Sequence, residues 1–402
     1  MSLIPISEAL ERLLEGATVL PTESVALADA WERVLAAPLT ALRTQPPFDA
    51  SAMDGYAVRA ADVSTAPARL KLAGQAAAGH GFRHAVGAGE AVRIFTGAPL
   101  PQGADTVVIQ ENVRDLGDGT IEVQGATAQG RNIRRAGLDF SQGEPLLERG
   151  RVLDAAALSL AAAANHPRLD VVRRPLVAVI ATGDELVPPG GAPGPDQIIA
   201  SNGFGVAAAV RSVGGVALDL GIAPDSREAI AALVRKAVAA GADVIVTLGG
   251  ASVGDHDLVH EALTGEGMEL GFWRIAMRPG KPLMVGRLDG TRCLGLPGNP
   301  VASLVCSQLF LKPLLARLGG RPFRQDMREA RLGAAMAAND RRQDYVRAVV
   351  VTKDEGTLVA TPFGTQDSSM LKMMADADGL IIREPFAAAV EKGAACRVLM
   401  LR

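Results

Sequence analysis

The sequence predicts a multidomain α/β-plus-β protein, on three observations. A length of 402 residues suggests two to four domains at roughly 150 residues each. Between residues 173 and 320, runs that are apolar throughout alternate with amphipathic runs. That is the pattern of a parallel sheet with helices on both faces. On either side, short β-like runs are broken by Gly, Pro and Asp, the texture of small β domains.

Each segment can be justified in order. Residues 1–44 start as a helix, because Leu10, Leu13 and Leu14 recur at helical spacing before Gly16, and then run extended. Residues 45–141 carry YAVRA, LKLAG, AVRIF, DTVVIQ and TIEVQ between turn residues, and read as an inserted antiparallel β domain. Residues 142–172 hold an Ala-rich helix, DAAALSLAAAAN, and then LDVV, a strand expected to pair back and complete the N-terminal domain. Residues 173–320 form the α/β domain, with strands PLVAVIAT, VALDLGIA and VIVTL. Its helix DSREAIAALVRKAVAAGA has Asp225 or Ser226 as N-cap and Gly241 at its end, with Ile230, Leu233, Val234, Ala237 and Val238 on one face. Residues 321–402 return to short strands, DYVRAVVV, TLVAT, GLIIREP and CRVLML, expected to form a C-terminal β-barrel.

Composition narrows the function. A net charge of −3 argues against a nucleic-acid partner, while leaving room for a local site for a small anion. Cys293, Cys306 and Cys396 are widely spaced and form no CxxC, so no zinc ribbon or redox motif is visible. No signal-like start and no run of membrane-spanning length are read; AAALSLAAAA at 155–164 is about half a span. The expectation is a soluble, cytoplasmic protein without a membrane partner.

Three predicted strand ends of the α/β sheet carry turn-forming or acidic residues. PLVAVIAT runs into Thr182, Gly183, Asp184 and Glu185; VIVTL runs into Gly249, Gly250, Ser252 and Asp257; a third strand ends in Pro297, Gly298, Asn299 and Pro300. Parallel sheets bind ligands at this edge. Glycine lets backbone N–H groups approach a phosphate. Asn299 reads as an N-cap whose helix points its positive end at an anion. Ordinary turn and cap chemistry is the plainer reading of any one of them, and Ser252 either contacts a ligand or caps its turn. GFGVAA at 203–208 resembles a dinucleotide fingerprint but lacks a proper preceding strand, so helix packing explains it better. HDLVH at 256–260 has no third zinc ligand, and His80 and His84 read as loop residues. Asp49 and Asp54 flank a turn before a strand. Arg131, Arg134 and Arg135 are placed near Asp139, and Arg278 and Lys281 around the turn MRPGKP. Such cations suit phosphate or oxyanion recognition or surface ion pairs.

In series, PPFDASAMDGYAVR, IFTGAPLPQGADTVV, GRNIRRAGLDF, ATGDEL, GGASVGDHD, RPGKP and GLPGNPVAS resemble the molybdopterin molybdenumtransferases, to which the E domain of gephyrin also belongs. The resemblance covers nearly the whole chain. It implies insertion of molybdenum from molybdate into adenylylated molybdopterin with release of AMP, with magnesium as the divalent cation. It implies four domains: an elongated N-terminal one, an inserted β domain, an α/β domain like the molybdopterin adenylyltransferase, and a C-terminal β-barrel. It implies a homodimer whose active site lies between the α/β domain of one subunit and the β domain of the other, with the upstream adenylyltransferase as a partner. By resemblance, Asp54 is needed for activity, Thr96 and Asp139 line the cleft, and Glu185, Asp225 and Asp257 are acids of the α/β domain. Lys281 belongs to the PGKP motif, and Arg347 and Ser368 complete the cleft. Three positions depart from the pattern: Ala50 stands for Asn, Arg278 for Lys, and Ala200 for Asp.

The chemistry is consistent from the residues upward. Glycine loops and a helix start suit phosphates. Glu185 and Asp257 suit magnesium, which takes carboxylate and phosphate oxygens. Lys281 and Arg278 suit molybdate. No nucleophile with an adjacent base is visible, so no covalent intermediate is expected. The competing readings are a non-catalytic cofactor carrier or scaffold on the same fold, and a nicotinamide-dependent oxidoreductase resting on GFGVAA alone.

Overall fold

The computed structural model describes residues 3–250, 257–353 and 356–402. The chain divides into two compact units. The first comprises Met1–Glu23, Glu32–Ala36 and Val171–Arg402, and the second Ser24–Trp31 and Ala37–Asp170.

The first unit is built on a six-stranded sheet, in the order Val216–Ala223, Leu176–Thr182, Val244–Leu248, Thr291–Leu296, Pro282–Leu288, Glu269–Arg274. The first four strands are parallel, and Val246 lies opposite Val179 on one side and Leu294 on the other. Successive side chains go to opposite faces. Val177 and Val179 join one core cluster, with Val206, Val210 and Val301. Ala178 and Ile180 join another, with Ile230 and Val234. Both faces are therefore dry, which is why these strands read as unbroken apolar runs. The last two strands are antiparallel, which makes the sheet mixed rather than wholly parallel. The cause is local: Asp289 and Gly290 join Leu288 to Thr291 with φ of 44° and 85°, a tight hairpin turn that reverses the chain.

The helices follow their caps. Ser226, not Asp225, caps Arg227–Ala239, its Oγ accepting from the Ala229 N–H at 3.3 Å. Ile230, Val234 and Ala237 are buried as expected, whereas Val238 is exposed. The helical run Pro300–Leu318, with a π turn at Ser307–Leu311, is 19 residues long and as apolar as a bilayer span. It outranks the 155–164 run in that respect, but 78% of the span-like window is buried inside the fold. A closed five-stranded barrel ends the unit, formed by Met327–Leu332, Gln343–Thr352, Leu358–Pro362, Gly379–Arg383 and Ala395–Met400. Met327–Leu332 was not legible as a strand, because only Ala330 and Leu332 of MREARL face the interior.

The second unit holds a six-stranded sheet, in the order Thr106–Ile109, Gly55–Val58, Glu90–Ile94, Ala68–Ala76, Thr120–Val123, Val113–Asp115. It is antiparallel except that Ala68–Ala76 and Glu90–Ile94 run parallel. Here too both faces are packed: Ala57, Val92 and Val107 on one, Val58, Ala91 and Val108 on the other.

Candidate active site

The carboxyl ends of the parallel strands open onto a cavity of about 1180 Å³ in the first unit. The three predicted strand ends meet there. Thr182 and Glu185 come from the first, Gly249, Gly250 and Asp257 from the second, and Pro297, Gly298 and Asn299 from the third. Asp225, Arg278, Lys281 and Ser368 also line it. Ser252 lies outside the described residues.

The glycines are explained by the protein's own packing. Gly249 and Gly250 have φ of 98° and 61°, where a side chain is disfavoured. A Cβ on Gly249 would sit 2.8 Å from the Thr182 carbonyl oxygen, and one on Gly250 would sit 2.2 Å from Val259. The bare backbone is therefore needed to turn the chain off its strand, before any ligand is considered. This packing gives the glycines a structural reason beside the expected approach of a phosphate.

The Pro297–Pro300 turn is also held internally. Its carbonyls accept from Asn202 Nδ2 at 2.6 Å, at Gly298, and from Ser303 Oγ, at Pro297. Asn299 occupies the N-cap position, but its side chain makes no cap bond; its amide instead donates to Ser368 Oγ at 2.8 Å. The cap reading of Asn299 is thus replaced by a tie between the helix start and the 366–369 loop.

Among the acids, Asp257 is the most unusual. It is only 6% exposed. Its Oδ1 caps the helix Leu258–Gly265 by accepting from the His260 N–H at 2.9 Å. Its Oδ2 is buried and has no hydrogen-bond partner among the described residues. Burial pushes this carboxyl above the usual range, opposed by the helix N–H groups. Glu185 is exposed, and its carboxylate lies over Gly183, where a Cβ would be 2.2 Å away. Asp225 and Asp184 brace each other: the Asp225 N–H donates to Asp184 Oδ1 at 3.0 Å. No group of three or more potential metal ligands occurs among the described residues, but magnesium needs only one or two carboxylates beside substrate phosphates. Two carboxylate residues on the cavity lining, Glu185 and Asp257, the latter with an oxygen that has no partner among the described residues, fit that ion.

The two predicted cations differ. Arg278 is tied to Asp344 and lies 3.4 Å from Asp340 and 3.2 Å from Asn339 Oδ1, and the Asp344 hydrogen bond raises its pKa. Its fork is therefore filled by protein carboxylates, against the expectation that it holds molybdate. Lys281 forms no ion pair among the described residues, and its side chain is half-buried at the cavity wall. Arg347 does not line the cavity. It is 1% exposed, on the face of Gln343–Thr352 opposite the barrel-core residues Val346 and Ala348, and donates to Gln366 Oε1 at 3.2 Å and the Met370 carbonyl at 3.3 Å. It holds the loop that presents Ser368. Arg342 and Asn202 line the cavity and were missed. The Ser201–Asn202 pair opening a helix was a usable signal for Asn202; nothing in DRRQD marks Arg342.

Asp54, Thr96 and Asp139 belong to the second unit. Thr96 donates its N–H at 2.7 Å and its hydroxyl at 2.8 Å to Asp54 Oδ1. These bonds hold the Asp54 carboxyl below the usual range, with Arg93 assisting. Asp139 is exposed. Arg135, expected beside it, instead pairs with Asp49 at 2.6 Å.

The alternative motifs are absorbed by the fold. Gly205 of GFGVAA packs against Leu304, which a Cβ would approach to 2.8 Å, and only the two-residue strand Ile198–Ile199 precedes it. His260 of HDLVH stacks on Trp273 at 4.7 Å, and His256 lies outside the described residues.

Three stretches match described protein regions: residues 4–165 the MoeA N-terminal region (domain I and II), 178–317 the probable molybdopterin binding domain, and 329–401 the MoeA C-terminal region (domain IV). The chain is 35% identical to the molybdopterin molybdenumtransferase of Haemophilus influenzae, over 90% of both chains. It is 34% identical to that of Bacillus subtilis, over 99% of this chain and 94% of the other. Its fold superposes on the molybdopterin biosynthesis MoeA protein of Pyrococcus horikosii with a TM-score of 0.84, at 31% identity and over the whole of both chains. The order of the matched regions, the cavity at the strand ends and identity sustained across both units lead to one conclusion: the chain belongs to the molybdopterin molybdenumtransferase family.

Proposed function

We propose that this chain inserts molybdenum from molybdate into adenylylated molybdopterin and releases AMP, the last step of molybdenum cofactor synthesis. The observation that carries this reading is the cavity itself. It gathers Asp257 and Lys281, whose Oδ2 and ammonium respectively have no hydrogen-bond or ion-pair partner among the described residues, with Glu185 and the helix start at Pro300, at the sheet edge where ligands bind. The helix start and the backbone at Gly298 suit phosphates. Lys281, without an ion pair among the described residues, supplies cationic charge for the molybdate oxyanion. Asn299 and Ser368, tied to each other, set one wall, and Arg347 acts behind them by holding the loop. Thr182, Asp225 and the Gly249–Gly250 turn shape the floor.

Magnesium, when bound, would be held by Glu185 and Asp257 and supplies Lewis-acid polarisation of the phosphoanhydride link. Asp54, fixed by Thr96, together with Asp139 serves the same substrate from the second unit. We further propose the four-segment division of the sequence reading, a cytoplasmic homodimer and delivery of substrate by the upstream adenylyltransferase. Identity at 31–35% to biosynthetic relatives across the chain supports this setting.

Active cofactor is the readout. The protein is mixed with adenylylated molybdopterin and molybdate, with and without magnesium, at a concentration where light scattering gives its assembly state. Magnesium-stimulated cofactor formation by a dimer is expected. Tight pterin binding without cofactor formation would instead favour a carrier or scaffold.

A further inference from the structure

We infer that Arg93 is the positioning residue for Asp54, clamping the turn that presents its carboxylate; this rests on the proposed role of Asp54. Arg93 lies on Glu90–Ile94, directly across from Tyr56 on Gly55–Val58. Its guanidinium sits over the Tyr56 ring at 5.0 Å and over the Phe95 ring at 4.9 Å. Two aromatic faces hold the cation in place from the same side of the sheet. From there one arm, Nη1, donates to the Gly55 carbonyl at 3.2 Å, immediately after Asp54. The other, Nη2, donates to Gln110 Oε1 at 2.6 Å.

Gln110 closes the circuit, because its backbone N–H donates to the Asp54 carbonyl at 3.1 Å. The carboxylate end is held by Thr96, the residue after Phe95, through two bonds to Oδ1. Arg93 therefore touches the strand that follows Asp54 and the turn that grips its backbone, and it packs against the neighbour of the residue that grips its side chain. The turn has little freedom of its own: a Cβ on Gly55 would lie 2.0 Å from the Val108 carbonyl oxygen. Thr96 sets the direction of the carboxylate, and the planar, five-donor fork of Arg93 ties together the two backbone segments that carry it, at Gly55 and Gln110. A lysine could occupy the aromatic slot but could not present the same fork.

The test measures kcat and KM for adenylylated molybdopterin in Arg93→Ala, Arg93→Lys, Asp54→Asn and the Arg93→Ala/Asp54→Asn double variant, with thermal melts to establish folding. Arg93→Ala should lower kcat about 100-fold, the cost of a misplaced group, with KM within about threefold. Arg93→Lys should melt like the parent and recover part of kcat. The double variant should be no slower than Asp54→Asn, because both changes remove one unit. Losses that multiply in the double variant, or a folded Arg93→Lys and Arg93→Ala with parental kcat beside a slow Asp54→Asn, would overturn the role of Arg93 while leaving that of Asp54 intact. Parental turnover in Asp54→Asn would remove Asp54 and the inference together.

Discussion

At the scale of the residue, Asp257 has one satisfied oxygen and one buried oxygen without a partner among the described residues. An uncompensated buried charge opposes folding. Asp257→Asn keeps an amide oxygen for the helix cap and removes the charge. We expect it to melt no lower than the parent, with a gain of about 1 kcal/mol, while cofactor formation is lost. A melt below the parent would show that the carboxylate is structural. Asp54 lies at the other extreme, with its carboxyl held low by the Thr96 bonds. Its folded value lies below its unfolded one, so its stabilising share is full at neutral pH and is lost as pH falls through the folded value. Thr96→Val should move the Asp54 carboxyl titration upward, read by carbon-detected NMR; an unmoved titration would assign the shift elsewhere. The acids themselves were legible in the sequence. Their pairings were not: Asp344, which occupies Arg278, is 66 residues away along the chain, and Asp49 takes Arg135 from 86 residues away. Nothing local encodes such partners.

At the scale of the element, the turn after Val244–Leu248 shows how a loop can look like a ligand motif for structural reasons. Gly250→Ala places a Cβ against Val259 and forces a left-handed alanine. We expect a loss of about 2 kcal/mol in chemical denaturation, from strain near 1–2 kcal/mol plus the clash. Adding Val259→Ala should not restore parental stability, because the strained φ remains. A fully stable Gly250→Ala with impaired pterin binding would return the glycine to the ligand. Fully buried strands and capped helices were legible because burial on both faces leaves unbroken apolar runs. The Asp289–Gly290 hairpin, which adds two antiparallel strands to the expected parallel sheet, carries an equally local reversal signal. Met327–Leu332 was not readable, since a barrel strand with one wet face and two inward residues gives little periodicity.

At the scale of the molecule, the residues assigned to one reaction are distributed over two compact units. Glu185, Asp257 and Lys281 line the cavity of the first unit, and Asp54 with Thr96 belongs to the second. The three stretches that match family regions were recognisable because each motif is short and local. The division of labour within the cavity was not, because it depends on which cation stays unpaired after folding. Arg278 is paired with Asp344 and Asp340, whereas Lys281 has no ion pair among the described residues, which is why we propose Lys281 for the oxyanion. We propose that this arrangement couples loss of the adenylyl group to the presence of molybdate. The most direct measurement is AMP release from adenylylated molybdopterin in a single turnover, followed before and after molybdate is added. AMP in proportion to protein is expected only once molybdate is present. AMP release at the same rate without molybdate, or none with it, would contradict the proposed coupling.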